Sequence, residues 1–329
     1  MLSGELITLV HESEVLRDNP LGDPFVRELP VYLPPDRGED LPLIAVLAGY
    51  GGNGRGALHG TPWSPSFPER YERLLSEGRC KPAAFIFPDA FTRFGGSQYV
   101  NSNATGRYQD WLVDEVFPFV EDAHGVGGRR ERRGLMGKSS GGFGALHVCF
   151  ERPEAFAALA SHSGDAYFEL GYKPEFGRLL QMLERHGGVE EFVDAFESAR
   201  NVTTPLFIAM SVLAMASVYS PDPAQPLGVA LPFDPRTGRL RDDVWTRWLE
   251  HDPVVLAERR GKVLRDHALV FVDAGLSDEY HLQYGARQLV EALRGHGVTV
   301  EHQEFDGGHM GVSYRFENSL PLMTEALSR

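Results

Sequence analysis

Gly137-Lys138-Ser139-Ser140-Gly141 is the segment of this sequence best suited to chemistry. A serine with glycine two positions away on either side fits a sharp strand-to-helix turn, because the crowded neighbours of the turn need space. Such a turn exposes the serine hydroxyl, and the N-terminus of the following helix favours negative charge developing beside it. A Gly/Ser turn with this pattern also arises by chance. The setting favours the nucleophile reading, since Arg133–Met136 reads as a strand leading in and Gly141–Phe150 as a helix leading out.

A serine hydroxyl is a poor nucleophile unaided, so it needs a general base, and the base needs an orienting carboxylate. On folds that present the serine from such an elbow, the acid and then the histidine follow it in the chain. The histidines after Ser139 are His147, His162, His186, His251, His267, His281, His296, His302 and His309. Only His309 falls in a loop just after the last expected strand, in EFDGGHMG, where glycines let the loop fold back. Asp278, in DAGLSDEY after the strand expected at Leu269–Asp273, is the favoured acid. Asp273, Glu279 and Asp306 are near competitors, and Asp165 is an alternative one strand earlier.

A tetrahedral intermediate at Ser139 needs two backbone N–H donors. One is expected from Ser140. The other is expected from the glycine loop LAGYGGNGRG, with Tyr50 first and Gly51 second. Tyr99, Asn101 and Trp63 are candidate substrate-binding residues, and Tyr50, Phe91 and Phe94 lie in neighbouring loops. These aromatic side chains serve equally well as packing beneath the loops.

The elements that must position these groups are legible as an alternation. Glu5–Val10 and Phe25–Leu33 read as antiparallel strands. Leu43–Ala48 is a continuous apolar run, which marks a strand buried on both faces. Then come a helix at Ser66–Ser76, a strand at Ala83–Phe87, an amphipathic helix at Gly106–Ala123, the elbow, and a strand at Phe156–Ser161. Strand and helix in alternation imply a mostly parallel sheet with helices on both faces. From about Asp165 to Asp266 the alternation breaks, for roughly a hundred residues, too long for one plain connection. Helices at Glu175–Arg185, Val189–Ala199 and Asp243–Leu249 and a proline-rich piece at Tyr219–Phe233 make this an insertion or cap on a single domain spanning 1–329. Ala268–Asp273, Glu279–Gly295, Val298–Phe305 and a terminal helix from Ser313 resume the alternation.

The bulk properties narrow the partners. The 329 residues are 42% hydrophobic and 24% charged, an ordinary globular balance with material for a sizeable core. Lys and Arg number 32 against 46 Asp and Glu, a formal charge of −14. A surface this acidic repels phosphate backbones and anionic membrane faces. The two cysteines, Cys80 and Cys149, lack metal-ligand spacing and read as buried thiols. The N-terminus lacks a secretory pattern, and no stretch approaches the roughly 18 apolar residues of a membrane span. A soluble, cytoplasmic protein is expected, with a homo-oligomer open.

Taken together, LAGYGG, YVNSNATGRYQDWLVDEVFPFVE, GKSSGGFGAL, DAGLSDE and FDGGH resemble the Putative esterase family, which includes esterase D-type thioesterases, feruloyl esterases, enterochelin esterases and mycolyltransferases. The resemblance runs from about Phe25 to Met310. It departs from the family at Ala48, where a histidine is usual, and at Lys138 and Ser140 around the nucleophile. It implies an α/β-hydrolase fold and two-step cleavage of carboxylic esters through an acyl group on Ser139. No metal or organic cofactor is implied. An acyltransferase using the same acyl-enzyme, a peptidase, and a non-catalytic binding protein on a hydrolase scaffold are the other readings.

Overall fold

The structure, a computed structural model, describes residues 2–38 and 40–329, so Met1 and Glu39 lie outside the described residues. Strand β1 (Glu5–Glu12) pairs antiparallel with β2 (Val26–Leu33). As the edge of the sheet, β1 leaves Leu6 and Val10 exposed, while β2 is buried almost throughout. β3 (Leu43–Leu47) and β4 (Ala84–Ile86) are buried at every residue. Both faces of these two strands are therefore covered, as the unbroken apolar runs require. β5 (Arg133–Lys138), β6 (Ala158–His162), β7 (Leu269–Gly275) and β8 (Glu301–Phe305) complete one eight-stranded sheet in the order β1-β2-β4-β3-β5-β6-β7-β8. Only the pairings of β2 are antiparallel.

Helices cover both faces. On one face α1 (Phe67–Ser76) buries Phe67, Tyr71 and Leu74 against Phe85 and Phe271 of the sheet. Its start is fixed by a reciprocal cap, in which Ser66 accepts from the Glu69 N–H and the Glu69 carboxylate accepts from the Ser66 N–H. On the other face lies the helical run α2 (108–124). Its middle, Trp111–Val116, widens into a π turn, and the Phe117 N–H reaches back to the Leu112 carbonyl. Pro118, one residue on, has no N–H to give the carbonyl four residues back, so the helix accommodates it by the wider turn. Beside α2 on that face lies α3 (Ser140–Glu151), directly after the elbow and buried from Ser140 to Phe150.

Between β6 and β7 the chain leaves the sheet and builds the cap. Its helices are α4 (Phe168–Gly171), α5 (Phe176–His186), α6 (Val189–Glu197), α7 (Thr204–Tyr219), α8 (Asp242–Leu249) and α9 (Pro253–Arg260). A separate apolar cluster holds α4 to α8 together, around Phe176, Leu179, Phe192, Leu213, Trp245 and Trp248, and it extends to Phe143 of α3, while α9 packs into the core of the sheet through Val254, Leu256 and Ala257. α7 is absent from the sequence expectations. It is apolar on every side because one side packs into the cap and another walls a cavity. α10 (Leu282–Gly295) and α11 (Phe316–Ala326) flank the last two strands, and among the described residues no helix is long and apolar enough to cross a membrane.

Parallel register brings the C-terminal ends of β3, β5, β6 and β7 side by side. Leu47 pairs with Gly137, Gly137 with Ser161, and His162 with Asp273. The glycine loop, the elbow and the loop bearing Asp278 leave the sheet along this one edge, where open α/β sheets place their ligands.

Candidate active site

Ser139 stands between β5 and α3 with φ 58° and ψ −128°, a backbone conformation that costs a non-glycine residue free energy. The surroundings hold it there. Its N–H donates to the His162 carbonyl at 2.9 Å, and its carbonyl accepts from the Phe143 N–H at 2.9 Å. The two motif glycines are required by contact. A Cβ on Gly137 would lie 2.5 Å from the Gly141 carbonyl, and one on Gly141 would lie 2.1 Å from the Leu47 oxygen.

His309 Nε2 lies 3.0 Å from Ser139 Oγ, and His309 Nδ1 lies 2.8 Å from Asp278 Oδ2. Both distances are satisfied when Nδ1 carries the proton to Asp278 and Nε2 accepts the serine hydroxyl. Asp278 is fixed through its other oxygen, which accepts from the Tyr280 N–H at 2.9 Å. The loop of His309 folds over Gly275, where a Cβ would meet the Gly307 oxygen at 2.4 Å. Its backbone is tied by Glu279, whose carboxylate accepts the His309 N–H at 2.5 Å, and the Tyr280 ring stands edge-on to the imidazole at 4.9 Å. Asp278 and His309 are 2% and 3% exposed, so water competes little for their hydrogen bond.

The other carboxylates have different tasks. Asp273 is fully buried, holding His162 Nδ1 and Arg315 Nε at 2.9 Å each. Asp306 is exposed. Asp165 makes no hydrogen bond to His309, and instead accepts from Ser140 Oγ, Tyr172 and Gln98.

Ser140 opens α3, so its N–H has no acceptor within the helix. The Tyr50 N–H also has no acceptor among the described residues, and both residues line the space around Ser139. Gly51 is different. Its N–H already donates to the Gly95 carbonyl at 2.8 Å, so it is not free for an oxyanion.

A cavity of about 530 Å³ opens over Ser139 and His309. Its wall is a stripe of α7, namely Thr204, Phe207, Ile208, Ser211, Val212 and Met215, spaced as one helical face. Phe168, Tyr172, Tyr280, Leu282 and Met310 add further apolar surface, and Asp165, Glu175 and Lys138 supply charge. Burial lowers the pKa of the Lys138 ammonium, against the pull of Asp278 and Asp165.

The three expected substrate-binding residues lie elsewhere. Trp63 is 95% exposed on a loop away from the cavity lining. Asn101 accepts the Gln109 and Asp110 N–H groups at 3.1 Å each, and so caps the start of α2. Tyr99 is buried behind the glycine loop and donates its hydroxyl to the Ala48 carbonyl at 3.0 Å. Phe94 joins the cap cluster and Phe91 is surface-exposed. Of the aromatic candidates only Tyr50 borders the cavity, its hydroxyl on the Phe94 carbonyl and its ring edge-on to Phe207.

Residues 26–326 match the profile of the family described as Putative esterase. The chain belongs to that family. It is thereby an esterase by family, and solved structures agree on the fold. A ferulic acid esterase superposes with a TM-score of 0.61 at 19% identity, over 99% of this chain and 100% of that one. An S-formylglutathione hydrolase from Agrobacterium tumefaciens gives a TM-score of 0.61 at 17% identity, over 100% of this chain and 96% of that one. Both, like this protein, have the α/β-hydrolase fold. Among curated sequences, the uncharacterized protein YbbA of Bacillus subtilis is 30% identical over 98 residues, 30% of this chain. That match spans 36% of YbbA.

Proposed function

We propose that this protein is a serine hydrolase that cleaves carboxylic esters of small molecules through an acyl-enzyme on Ser139. The observation that carries the reading is the continuous hydrogen-bond chain from Ser139 Oγ through the His309 ring to Asp278, on an elbow with two unoccupied amides beside it.

In the first step Ser139 Oγ attacks the carbonyl carbon while its proton passes to His309 Nε2. Asp278 holds the ring orientation and stabilises the imidazolium. The carbonyl oxygen, now negative, accepts from the Ser140 and Tyr50 N–H groups. The tetrahedral centre then collapses. The C–O bond to the alcohol breaks, and the departing oxygen takes the proton from Nε2. In the second step water attacks the acyl carbon, gives its proton to His309, and the Ser139 oxygen leaves with that proton. The carboxylic acid is released and the enzyme is restored.

The test is labelling by a fluorophosphonate together with turnover of p-nitrophenyl and naphthyl esters. Wild type is expected to be labelled on Ser139 and to turn over the esters. Ser139→Ala is expected to take no label and to lose activity by about 10⁶-fold. Near wild-type turnover by Ser139→Ala overturns the assignment.

A further inference from the structure

Asp165 takes no part in the proton transfers above, yet its carboxyl group is held against the first residue of α3. It is 7% exposed, and one oxygen collects three donors. Oδ2 accepts from the Tyr172 hydroxyl at 2.7 Å, Ser140 Oγ at 3.1 Å and Gln98 Nε2 at 3.2 Å. Gln98 Nε2 also lies 3.1 Å from the Tyr172 hydroxyl and 3.2 Å from that of Tyr219. Tyr172 and Tyr219 belong to the cap and Ser140 follows the nucleophile, so one carboxyl group joins the cap to the elbow. Backbone strain is concentrated around it, since Gln98, Ser163 and Tyr167 all have left-handed φ, 55°, 41° and 60°. The Ser163 N–H donates to the Asp273 carbonyl at 2.8 Å and the Tyr167 N–H to Asp252 Oδ1 at 2.9 Å, which fixes the loop on both sides of Asp165.

Burying this acid is costly. Burial pushes its pKa up, while Tyr172, the charge of His309, Gln98 and Ser140 pull it down. The residue it holds is the one whose N–H is free for an oxyanion. That N–H belongs to the peptide whose carbonyl, on Ser139, accepts from the Phe143 N–H at 2.9 Å. The bond from Ser140 Oγ to Asp165 fixes the other end of the same peptide. Both ends of the donor are then tied, as a preorganised oxyanion site requires.

Resting on Ser139 as the nucleophile, we infer that Asp165 is a positioning residue of the oxyanion site. Its Oδ2 holds Ser140 by the side chain and so keeps the Ser140 N–H aimed at the developing oxyanion, while Tyr172 and Gln98 hold Asp165 in turn. The negative oxygen exists only once the tetrahedral centre forms, so the effect belongs to turnover and not to ester binding.

The experiment measures kcat and KM for p-nitrophenyl butyrate across pH in Asp165→Ala, Asp165→Asn, Ser140→Ala and the double variant Asp165→Ala/Ser140→Ala, with circular dichroism to follow folding. Asp165→Ala is expected to lower kcat by about ten- to a hundredfold with KM nearly unchanged. Asp165→Asn keeps an oxygen that accepts from Ser140 and is expected to recover most of that loss. Ser140→Ala keeps its N–H but loses the tether. It is expected to match Asp165→Ala, and the double variant to be no slower than either. The acid limb of the kcat/KM profile is expected to stay at its wild-type position. A rise in KM at wild-type kcat makes Asp165 a plain part of the cavity wall and overturns the inference. A shifted acid limb, with Asp165→Asn as slow as Asp165→Ala, places the effect in the charge acting on His309 and also overturns it. So do losses that multiply in the double variant. A Ser140→Ala enzyme with wild-type kcat overturns it even where Asp165→Ala does not fold. Ser139→Ala is run on the same ester, and residual turnover there counts against the nucleophile assignment and not against Asp165.

Discussion

Among the acidic residues near the elbow, position in the chain leaves several that fit one role, and hydrogen-bond partners separate them. Asp278 touches His309, Asp273 touches His162 and Arg315, and Asp165 touches Ser140 and Tyr172. The substitutions Asp278→Asn and Asp273→Asn therefore have different expected outcomes. An amide at Asp278 favours the wrong imidazole tautomer and is expected to lower kcat by about 10⁴-fold with little change in stability. At Asp273 the amide leaves the Arg315 guanidinium uncompensated inside the protein and is expected to cost about 3–5 kcal/mol of stability. Ester kinetics and urea unfolding on both variants check this, and a kinetic loss at Asp273→Asn without unfolding contradicts it. Ser139, Asp278 and His309 are legible in the sequence because each is fixed by a local rule, the glycine elbow or a loop directly after a strand. Tyr99, Asn101 and Trp63 do not line the cavity, because proximity to a site loop does not say which way a side chain turns. The Tyr99 ring lies against Gly144, where any Cβ would come within 2.4 Å of it, and this contact only the fold reveals.

At the scale of elements, alternation of apolar strands and amphipathic helices carries most of the sheet, because a parallel strand buried on both faces is a visible apolar run. The cap is less legible for a physical reason. Helix α7, TPLFIAMSVLAMASVY, has no charged residue and no polar face, so the 3.6-residue rhythm that betrays a surface helix is missing. Its length was the available signal, too long for a buried strand and too short for a membrane span. That helix supplies the longest part of the cavity wall, so it is expected to set the length of acyl group accepted. Ile208 is half-buried in that wall. Ile208→Trp is expected to lower kcat/KM for decanoyl esters by about tenfold or more while leaving acetyl esters nearly unchanged. A p-nitrophenyl chain-length series measures this, and a uniform loss at every length places the acyl group elsewhere.

Over the whole molecule, the cap and the sheet are joined by more than their two connections, and one joint is titratable. His147 on α3 and His251 between α8 and α9 face each other at 3.1 Å, with rings stacked at 5.2 Å between Phe143 and Tyr219. Burial depresses the pKa of both imidazoles, that of His251 to about 4, and the charged groups acting on them, Arg260 and Arg247, push the same way. His267, at the base of β7, is likewise held at about 4 by burial, with Arg130 lowering it and Asp266 opposing. In the unfolded chain these groups titrate near 6.5. Above that value neither state binds the protons, and the contribution to stability is complete. As the pH falls from 6.5 toward 4 only the unfolded chain takes them up, so stability declines through that window. The thermal midpoint is therefore expected to drop by several degrees between neutral and mildly acidic buffer. His251→Gln, which cannot titrate, is expected to flatten that slope. Unfolding scans of both proteins across the window measure it, and an unchanged slope in the variant removes this histidine joint as a source of acid sensitivity.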